Sequence, residues 1–461
     1  MKINIGNDLY LKGRIGWKGL SKDEYLEKSN YKIINGYSLK DGYIDWDIAG
    51  YISKDRYEES PEIKLEINDI LISKDGTIGK VGIVRDLELP STVASGIFVL
   101  RNIIKDRLDT EYLFQYLKSS NFKNFINRVK ASGSTIIHLY QRDLVKLEID
   151  VPSLKEQKSI SSLLKNLDTK IELNNKINKE LEAMAKTLYD YWFVQFDFPD
   201  EEGKPYKSSG GKMVWNEELK REIPEGWEVK SLSYICEIIN GYAFKSEWYT
   251  DSGIKIIRTK NFENGYVDLN DLVFLDNEFA RQFDKYQLKT YDFLMVMVGA
   301  STGKHCTVNS NILPALQNQN MWRFISKIEN QQLFLNLKLQ RIVLELENTT
   351  NGSARGFFQK DSFLSKIVDV PNQDLIENFC NKINSVFKRI DNNLKENQEL
   401  ASLRDWLLPM LMNGQVSVSD INESNNEKKK NVLKSIDKIK GYSSKEENLG
   451  MVAEEGGKCG K

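Results

Sequence analysis

Short stretches in the first half of the chain recur in the second half at a constant spacing. The spacing is 223 residues for the earlier stretches and 219 for the later ones, so a small length difference falls inside the repeated part. A constant spacing of this kind indicates two copies of one structural unit, each a globule followed by a helix. The matched stretches are Lys32-Ile33-Ile34 with Lys255-Ile256-Ile257, Gly42-Tyr43-Ile44-Asp45 with Gly265-Tyr266-Val267-Asp268, Asp69-Ile70-Leu71-Ile72 with Asp292-Phe293-Leu294-Met295, and Asp150-Val151-Pro152 with Asp369-Val370-Pro371.

Chain length and strand-like runs predict the fold class. The chain has 461 residues, which is too long for a single core and fits two domains of about 150 residues each with connecting segments. Within residues 1–150, short β-rich runs are separated by Gly, Asp and Asn, and Thr110 to Val129 forms a helical patch. The predicted fold is therefore α+β, with two similar globular domains alternating with two long helices. The predicted strands are Tyr31 to Ile34, Asp69 to Ser73, Val81 to Val84 and Gly96 to Leu100.

Each globule is followed by apolar residues spaced alternately by four and three, as in the seam of a coiled coil. Asn174 and Asn178 occupy the same seam positions in the first copy as Asn393 and Asn397 in the second. Polar seam residues fix register and partner at a cost in stability, so this match favours two helices paired as an antiparallel coiled coil. Two ordinary amphipathic helices, each packed on its own globule, remain the alternative. The other seam residues are Ile160, Leu164, Leu167, Ile171, Leu181, Ala185, Leu188 and Trp192, then Phe379, Ile383, Val386, Ile390, Leu400, Arg404, Leu407 and Leu411.

Local composition sets the expected domain boundaries. A stretch rich in Pro, Gly, Ser, Lys and Glu between the copies predicts a linker. The last residues contain Lys, Glu, Ser, Asn and Gly with little to bury, which predicts a disordered tail. The predicted segments are a first globule at 1–150, a helix at 151–196, the linker at 197–226, a second globule at 227–369, a second helix at 370–414 and the tail at 415–461.

Charge and cysteine content narrow the function classes. Lys and Arg (65) nearly cancel Asp and Glu (66), so only separation of charge onto different faces could make this chain a nucleic-acid binder. The four cysteines show neither disulfide nor metal spacing, and with two histidines in the chain no zinc site is expected. The sequence opens with no signal peptide and contains no apolar run of roughly 18 residues, which predicts a soluble, cytoplasmic protein.

Several segments mimic catalytic motifs without completing them. Gly299 to His305 is like a phosphate-binding loop with one residue too few between its glycines, and its counterpart Gly76 to Val81 is shorter still. A turn between two strands is favoured for both, with a phosphate contact by the lysine left open. Pro199 to Lys204 crowds nuclease-like acidic and lysine residues into one linker, and His138 is interpreted as a partly packed strand or turn residue. No stretch typical of adenine methylation occurs, so no catalytic residue and no metal site are predicted.

Four segments resemble the specificity subunits of Type I restriction-modification systems, and the similarity extends up to about residue 418. Two of these segments open and close the first helix, one leads into the second globule, and one lies near the end of the second helix. They are Val151-Pro152-Ser153-Leu154-Lys155-Glu156-Gln157-Lys158, Tyr191-Trp192-Phe193-Val194-Gln195-Phe196-Asp197-Phe198, Ile223-Pro224-Glu225-Gly226-Trp227-Glu228-Val229 and Leu403-Arg404-Asp405-Trp406-Leu407-Leu408-Pro409.

The resemblance implies a division of labour between this chain and its partners. Residues 1–150 and 227–369 would be target recognition domains, each reading one half of a split sequence in double-stranded DNA. The helices would act as the spacer and as the docking surface for two methyltransferase subunits. Those partners would use S-adenosylmethionine, and restriction subunits, where present, would use ATP and Mg. The chain itself would bind no cofactor and would not be an enzyme.

Basic and amide side chains in Gly-rich or polar turns are the candidate DNA contacts. Lys and Arg bind phosphate, Arg can also bind guanine, and Asn or Gln can bind adenine. The candidates are Lys12, Arg14, Lys18, Lys74, Lys80, Ser134 and Thr135 in the first globule, and Lys245, Arg258, Lys260, Lys304, Asn318, Gln319 and Arg355 in the second.

Two competing interpretations and one irregularity accompany this reading. The chain could be a coiled-coil adaptor that binds proteins rather than DNA, or a self-contained nuclease using Pro199 to Lys204. A neighbouring gene for an adenine methyltransferase would favour the specificity subunit.

The second copy enters its globule through Ile223 to Ser233, whereas the first begins almost at Gly13, taken as the counterpart of Gly241. This difference predicts either a shorter entry strand in the first domain or a start codon that lies upstream of Met1.

Overall fold

The computed structural model describes residues 1–14, 20–40, 42–131, 138–263, 265–269, 271–299, 301–349 and 359–418. The chain divides into two compact units. The first unit contains Met1–Lys170 and the described residues from Leu400 on, and the second contains Ile171–Glu399. Each unit mixes helices with short strands, as the α+β prediction required.

A four-stranded antiparallel sheet lies in each unit, and the two sheets have the same strand order. In each sheet, the longest strand pairs on one side with the strand that comes first in the chain. On its other side it pairs with the first strand of a β-hairpin. In sheet order the strands are Tyr10–Gly13, Ile97–Arg101, Ile70–Ser73 and Val81–Ile83 in the first unit, and Cys236–Asn240, Met321–Ser326, Phe293–Val296 and His305–Thr307 in the second.

A three-stranded mixed sheet is also common to both units. Its central strand pairs antiparallel on one side and parallel on the other. Besides the lead-in strands described below, the described residues of the second unit form two short ribbons and those of the first unit form one. The mixed sheets are Gly50–Tyr51, Lys32–Ile34 and Ser91–Val93, and Val273–Leu275, Ile254–Ile257 and Ala315–Gln317; the ribbons are Leu39–Lys40 with Tyr43–Ile44, Phe262–Glu263 with Tyr266–Val267, and Met213–Asn216 with Arg221–Pro224.

A lead-in strand to the globule is present in both units, with three residues in the first and four in the second. Lys2–Asn4 pairs with Glu148–Asp150, just as Glu228–Ser231 pairs with Ile367–Val370 in the second unit. A four-residue helix follows each of these first strands. The strand at Lys2 escaped detection because it has only three residues and its partner strand is distant in sequence.

Strand Ile70–Ser73 of the first unit and strand Phe293–Val296 of the second each begin at a buried turn of the same kind. Asp69 and Asp292 each accept a hydrogen bond from the backbone N–H three residues earlier, at 2.8 Å in both units. Each carboxylate also meets an arginine from the neighbouring strand. Arg101 Nε lies 2.6 Å from Asp69 Oδ1, and Arg323 Nη1 lies 3.4 Å from Asp292 Oδ2. The repeated aspartate is therefore a structural residue that fixes the start of the strand.

Shorter helices cover the sheets. The predicted helix at 110–129 is present but is divided into two at Ser119, where the hydroxyl donates to the Tyr116 carbonyl at 2.6 Å. Ser competes in this way for backbone partners and favours helix ends. The helices are Thr110–Lys118 and Ser120–Ala131 in the first unit, Gln332–Thr349 in the second, and the short helices Ile5–Asp8, Lys54–Glu58, Gln141–Leu144, Leu232–Ile235, Asn277–Ala280 and Lys360–Leu364.

Two long helices, Leu154–Tyr189 and Gln373–Met412, contribute residues to both units. Most of the predicted seam positions are buried, including both members of the pair Asn178 and Asn393. Within the second unit, Asn393 Nδ2 donates to Asn178 Oδ1 at 2.8 Å, and Asn174 Nδ2 donates to Asn397 Oδ1 at 2.9 Å. Because the later residue of one helix meets the earlier residue of the other, these segments run antiparallel.

In the first unit, a cluster of charged side chains connects the two long helices. The carboxylate of Asp168 accepts from Lys118 Nζ at 2.8 Å, from Arg404 Nη1 at 2.9 Å and from Gln115 Nε2 at 2.9 Å. Burial alone would raise the pKa of Asp168, but the charge of Lys118, the bonds from Lys118 and Gln115, and the charge of Arg404 hold that pKa below its ordinary value. The cluster ties a globule helix to both long helices inside this unit.

The segment predicted as a linker is folded. Its β-ribbon ends at Pro224, and Phe198 and Ile223 are buried in a core with Trp192 and Trp227. Polar composition suggested a linker, but the few aromatic and apolar side chains within it supply enough buried surface to order it.

Among the described helices, none has the length and apolar character needed to cross a bilayer. The predicted tail from residue 419 on lies outside the described residues.

Candidate nucleic-acid interface

In the second unit, several loops meet at one turn between the mixed sheet and the four-stranded sheet. The turn begins at Asn318, whose backbone N–H donates to the Ile257 carbonyl at 3.1 Å and which forms a short parallel bridge with Tyr242. It ends at Asn320, whose carbonyl accepts from the N–H of Met297 at 3.2 Å. These bonds bring the segments around 242, 257 and 297 to a single edge, which we call the second loop edge.

Gly241 sets how closely two of these loops approach. A Cβ atom at this position would lie 1.7 Å from the carbonyl oxygen of Asn318. No side chain can be accommodated at that distance, so the approach of the 242 segment to the turn requires glycine.

Arg258 and Lys260 follow Ile257 on this edge, and both meet Asp271. Arg258 Nη2 donates to the Asp271 carbonyl at 2.6 Å, and Lys260 Nζ forms an ion pair with the Asp271 carboxylate. The hydrogen bond from Lys260 and its charge hold the pKa of Asp271 below its ordinary value. Both basic groups are thus held in place by one exposed acid, a contact that is weak in water and that a DNA phosphate could replace.

The other predicted residues of the second unit differ in exposure. Asn318 is 9% exposed, and its Oδ1 accepts from the Gln319 N–H at 2.8 Å, so its side chain braces the turn. Gln319 is exposed beside it. Lys304 is exposed at the end of the Gly-rich hairpin, and Lys245 Nζ lies 5.3 Å from the centre of the Trp248 ring. Gln319 and Lys304 can therefore meet a ligand directly.

The first unit has a matching edge, which we call the first loop edge. Its turn runs from Ala94 to Gly96, with the Ala94 N–H donating to the Ile34 carbonyl at 2.8 Å and the Lys74 N–H donating to the Gly96 carbonyl at 2.8 Å. These two bonds repeat those made by Asn318 and Asn320 in the second unit. The two edges therefore share a backbone frame, but small side chains stand in the first where amides stand in the second.

Lysines at the first loop edge take two different positions. Lys74 is half-buried with its Nζ 4.9 Å from the Phe98 ring centre, and burial lowers its pKa. Lys80 is exposed at the end of the hairpin loop. Next to them, His138 Nδ1 lies 2.5 Å from Asp75 Oδ1, and the two side chains are 42% and 41% exposed. His138, predicted as a partly packed strand or turn residue, lies at the surface in this polar pair.

Two predicted contacts of the first globule do not lie in exposed turns. Lys12 is exposed but belongs to the edge strand Tyr10–Gly13. Arg14 is 1% exposed, and its Nε donates to the Val93 carbonyl at 3.1 Å. Its side chain braces the strand that leads into the first loop edge, so the premise that put it among exposed contacts is wrong. Lys18, Ser134, Thr135 and Arg355 lie outside the described residues.

The motif-like segments are structural turns. Both Gly-rich stretches close β-hairpins, with the N–H of Gly79 donating to the Ser73 carbonyl and that of Gly303 to the Val296 carbonyl, each at 2.9 Å. Asp200 Oδ1 accepts from the backbone N–H of Glu202 and of Lys204 at 2.9 and 2.8 Å. Its carboxylate thus closes a tight turn. Across the described parts of the chain, no group of His, Cys, Asp and Glu is arranged to hold a metal ion.

Sequence reasoning missed two residues of the first loop edge, Asn35 and Tyr37. They follow Ile34 just as Arg258 and Lys260 follow Ile257, at the spacing of 223 that the repeat had already given. That spacing was the available signal, but the candidates were chosen among basic, amide and hydroxyl residues of Gly-rich or polar turns without applying it. Tyr37 is 83% exposed, more than any other large apolar or aromatic side chain recorded as exposed among the described residues.

Comparison with known proteins identifies the family of this chain. The chain matches the family described as "Type I restriction modification DNA specificity domain" twice, over residues 16–183 and 224–404. It is 29% identical over 359 residues to the Type I restriction enzyme MjaIX specificity subunit of Methanocaldococcus jannaschii, covering 76% of this chain and 78% of that one. The MjaVIII specificity subunit of the same organism is 26% identical over 435 residues, covering 91% and 93%.

A solved structure is also similar. The S subunit of a Type-I restriction-modification system from M. genitalium has 18% sequence identity and a TM-score of 0.47, covering 89% of this chain and 95% of that one.

The two family matches together cover more than half of the chain, so it belongs to the Type I restriction-modification DNA specificity family. As a specificity subunit, it is the component that recognises DNA sequence and not a catalytic one, which confirms the prediction from the four resembling segments. The adaptor interpretation is not favoured.

Proposed function

We propose that each unit reads one half of a split DNA sequence through its loop edge. The observation that carries this proposal is the shared backbone frame of the two edges, which presents Ala94, Ser95 and Gly96 in one unit and Asn318, Gln319 and Asn320 in the other. A constant frame with different side chains suits two readers with different base preferences, since base-edge contacts specify sequence and phosphate contacts position the protein.

Lys80 and Lys304 are the proposed phosphate contacts. Each is exposed, each ends the Gly-rich hairpin of its unit, and each is followed directly by an edge strand. Among the described residues, neither lysine has a carboxylate within ion-pair distance. A free ammonium group on a turn beside backbone N–H groups is suited to a phosphate oxygen.

The long helices are proposed to pair as an antiparallel coiled coil that sets the gap between the half-sites. The pairs Asn174 with Asn397 and Asn178 with Asn393 support this, because amides that bond to each other across a helix seam fix helix register. The helices are also proposed to dock two methyltransferase subunits, which would use S-adenosylmethionine. Restriction subunits using ATP and Mg could join the same complex, and a cytoplasmic location is expected.

The first test is co-expression with the neighbouring methyltransferase gene in a host that lacks such methylation, followed by single-molecule mapping of modified adenines. A split motif with a fixed gap is expected. Gln319→Ala should relax one half of the motif only, whereas Gln282→Ala, an exposed glutamine elsewhere in the same unit, should change neither half. A continuous motif, or relaxation of both halves by Gln319→Ala, would contradict the proposal.

The second test addresses the spacer. Deletion of one heptad from each long helix, placed to preserve the asparagine pairs, should shorten the gap and leave both half-sites unchanged. An altered half-site with an unchanged gap would show that the helices do not set the separation.

A further inference from the structure

Tyr37 is an exposed aromatic residue without a structural role in its own unit. Its side chain is 83% exposed, and among the described residues its ring and hydroxyl contact no other side chain within hydrogen-bond or ring-stacking distance. A fully exposed aromatic ring contributes none of the favourable free energy that a buried ring contributes to folding. A functional contact would explain why the residue stands there.

The turn that carries Tyr37 is held rigidly. The Oδ1 atom of Asn35 accepts from the Tyr37 N–H at 2.9 Å, and the Ser38 N–H donates to the Asn35 carbonyl at 3.0 Å. A further bond runs from the Asp45 N–H to the Ser38 carbonyl at 2.8 Å. The ring is therefore presented from a fixed turn at the end of strand Lys32–Ile34.

The corresponding turn of the second unit carries the same bonds. The Asn261 N–H donates to the Arg258 carbonyl at 2.8 Å, and the Asp268 N–H donates to the Asn261 carbonyl at 2.7 Å. These two bonds match those made by Ser38 and Asp45 one for one. Tyr37 consequently occupies in the first unit the position that Lys260 occupies in the second.

Resting on the proposed function of the two loop edges, we infer that Tyr37 is a DNA-contacting and specificity-determining residue of the first half-site. The first unit thus presents an uncharged aromatic ring where the second presents a cation. An aromatic ring gains by stacking on a base or sugar, or by wedging at a base step, and its hydroxyl can donate to a base edge. A lysine at the same place would contact phosphate, which carries no sequence information.

The test uses the complete complex with its methyltransferase partner and DNA carrying the mapped bipartite site. Tyr37→Ala should weaken binding by about 10-fold, in the range found for loss of aromatic contacts to bases. The salt dependence of binding should stay the same because no charge is lost. Discrimination against a scrambled first half-site should fall, while discrimination against a scrambled second half-site should remain.

Matched variants separate this effect from a change in folding. Tyr37→Phe keeps the ring and should bind within about twofold of the native protein. Tyr37→Lys should restore affinity and steepen the salt dependence by about one unit without restoring discrimination. Ile103→Ala alters another residue of the first unit that is 61% exposed, at the other end of strand Ile97–Arg101, and should have no effect. Equal melting temperatures would exclude unfolding as the cause.

Two failures are distinguishable. If the native complex discriminates both half-sites and Tyr37→Ala and Tyr37→Lys do the same, the inference about Tyr37 is overturned and the function of the loop edges stands. If the native complex discriminates neither half-site, the proposed function fails and the inference about Tyr37 fails with it.

Discussion

The first loop edge carries Ala94, Ser95 and Gly96 where the second carries Asn318, Gln319 and Asn320, although the same backbone bonds hold both turns. The first edge offers an aromatic ring at Tyr37, and the second offers Lys260. The difference shows that backbone hydrogen bonds hold the turns in place, whereas the side chains carried by the turns differ between the units. The same backbone hydrogen bonds build both edges, so side chains such as Ser95 and Gln319 can differ while these bonds are kept.

The polar contacts between the two long helices also differ between the units, and we call each set of contacts a joint. In the first unit, Asp168 binds Lys118 and Arg404 through charge. In the second unit, amide groups of Asn178 and Asn393 bind each other without charge. Charged and amide joints respond differently to pH and to substitution, so the two units can be distinguished experimentally within one chain.

The largest expected effect is from Asp168→Ala. Removal of the acid leaves Lys118 largely buried without its ion-pair partner and leaves Arg404 with only the exposed Asp405, which should lower the free energy of unfolding of the first unit by about 3 kcal/mol. Hydrogen exchange read by mass spectrometry should show faster exchange in peptides of the first unit and little change in the second. Asp405→Ala removes the exposed second partner of Arg404 and serves as the control. Equal acceleration in both units would contradict the local assignment.

The same joint predicts a response to acid. The pKa of Asp168 is lower in the folded protein than in the unfolded chain, so its contribution is fully present above the ordinary carboxyl pKa and is lost as pH falls through the lowered value. Acid should therefore destabilise the joint of the first unit and leave the pair Asn178 and Asn393 unaffected. In Asp168→Asn this part of the pH dependence should disappear.

The next effect concerns the amide joint. Asn393→Leu leaves the Asn178 amide buried without a partner and should cost about 2 kcal/mol, whereas Asn178→Leu with Asn393→Leu removes both polar groups and should cost less than about 1 kcal/mol. Chemical denaturation measures both. The double variant should instead show poorer helix register, seen as methylation at sites with altered gaps. A double variant that is less stable than Asn393→Leu would contradict this view of the joint.

A smaller effect is expected at Gly241. A methyl group at this position must push the Tyr242 segment away from the Asn318 carbonyl, so Gly241→Ala should weaken binding of the second half-site by about 10-fold, the effect of about 1.4 kcal/mol. Binding to DNA with either half-site scrambled would measure it. Gly36→Ala is a control for the second half-site only, because a Cβ at Gly36 meets nothing within 4 Å and the residue belongs to the first loop edge. Unchanged discrimination in Gly241→Ala would show that this close approach is unimportant for reading DNA.

The smallest effects should be equal in the two units. Lys80→Ala and Lys304→Ala should each weaken binding a few-fold for all sequences and reduce the slope of log affinity against log salt by about one. Fluorescence anisotropy at several salt concentrations measures this slope. A change at one lysine only would show that the two hairpins do not share a phosphate contact.

Much of the fold could be predicted because it depends on local patterns. The strand predicted at Asp69 to Ser73 is found at Ile70–Ser73, and the spacing of 223 anticipated its partner at Phe293–Val296. The lead-in strand Lys2–Asn4 could not be predicted, because it is stabilised by pairing with Glu148–Asp150. Three residues alone carry too little pattern to reveal a strand.

The interface was less predictable, because exposure depends on the packing of distant segments. Arg14 has the residue type of a DNA contact, yet it is buried against the strand that ends at Val93. Tyr37 lacks the expected residue type, yet it is the exposed side chain at the matching turn. Asn318 lies at the second loop edge, but its amide oxygen accepts a hydrogen bond from the Gln319 N–H, and Gln319 is the exposed residue.

The first unit is discontinuous in the chain, since Asp168 and Lys118 belong to its early part and Arg404 to its late part. A ribosome must therefore synthesise all of residues 171–399 before the first unit can obtain its last helix. At about 5 to 20 residues per second, that delay is roughly 10 to 50 s. During that interval the nascent first unit lacks the partner of its helical seam, and the second unit, although later in sequence, is completed before it. The order of assembly during translation is thus the reverse of the order in the gene.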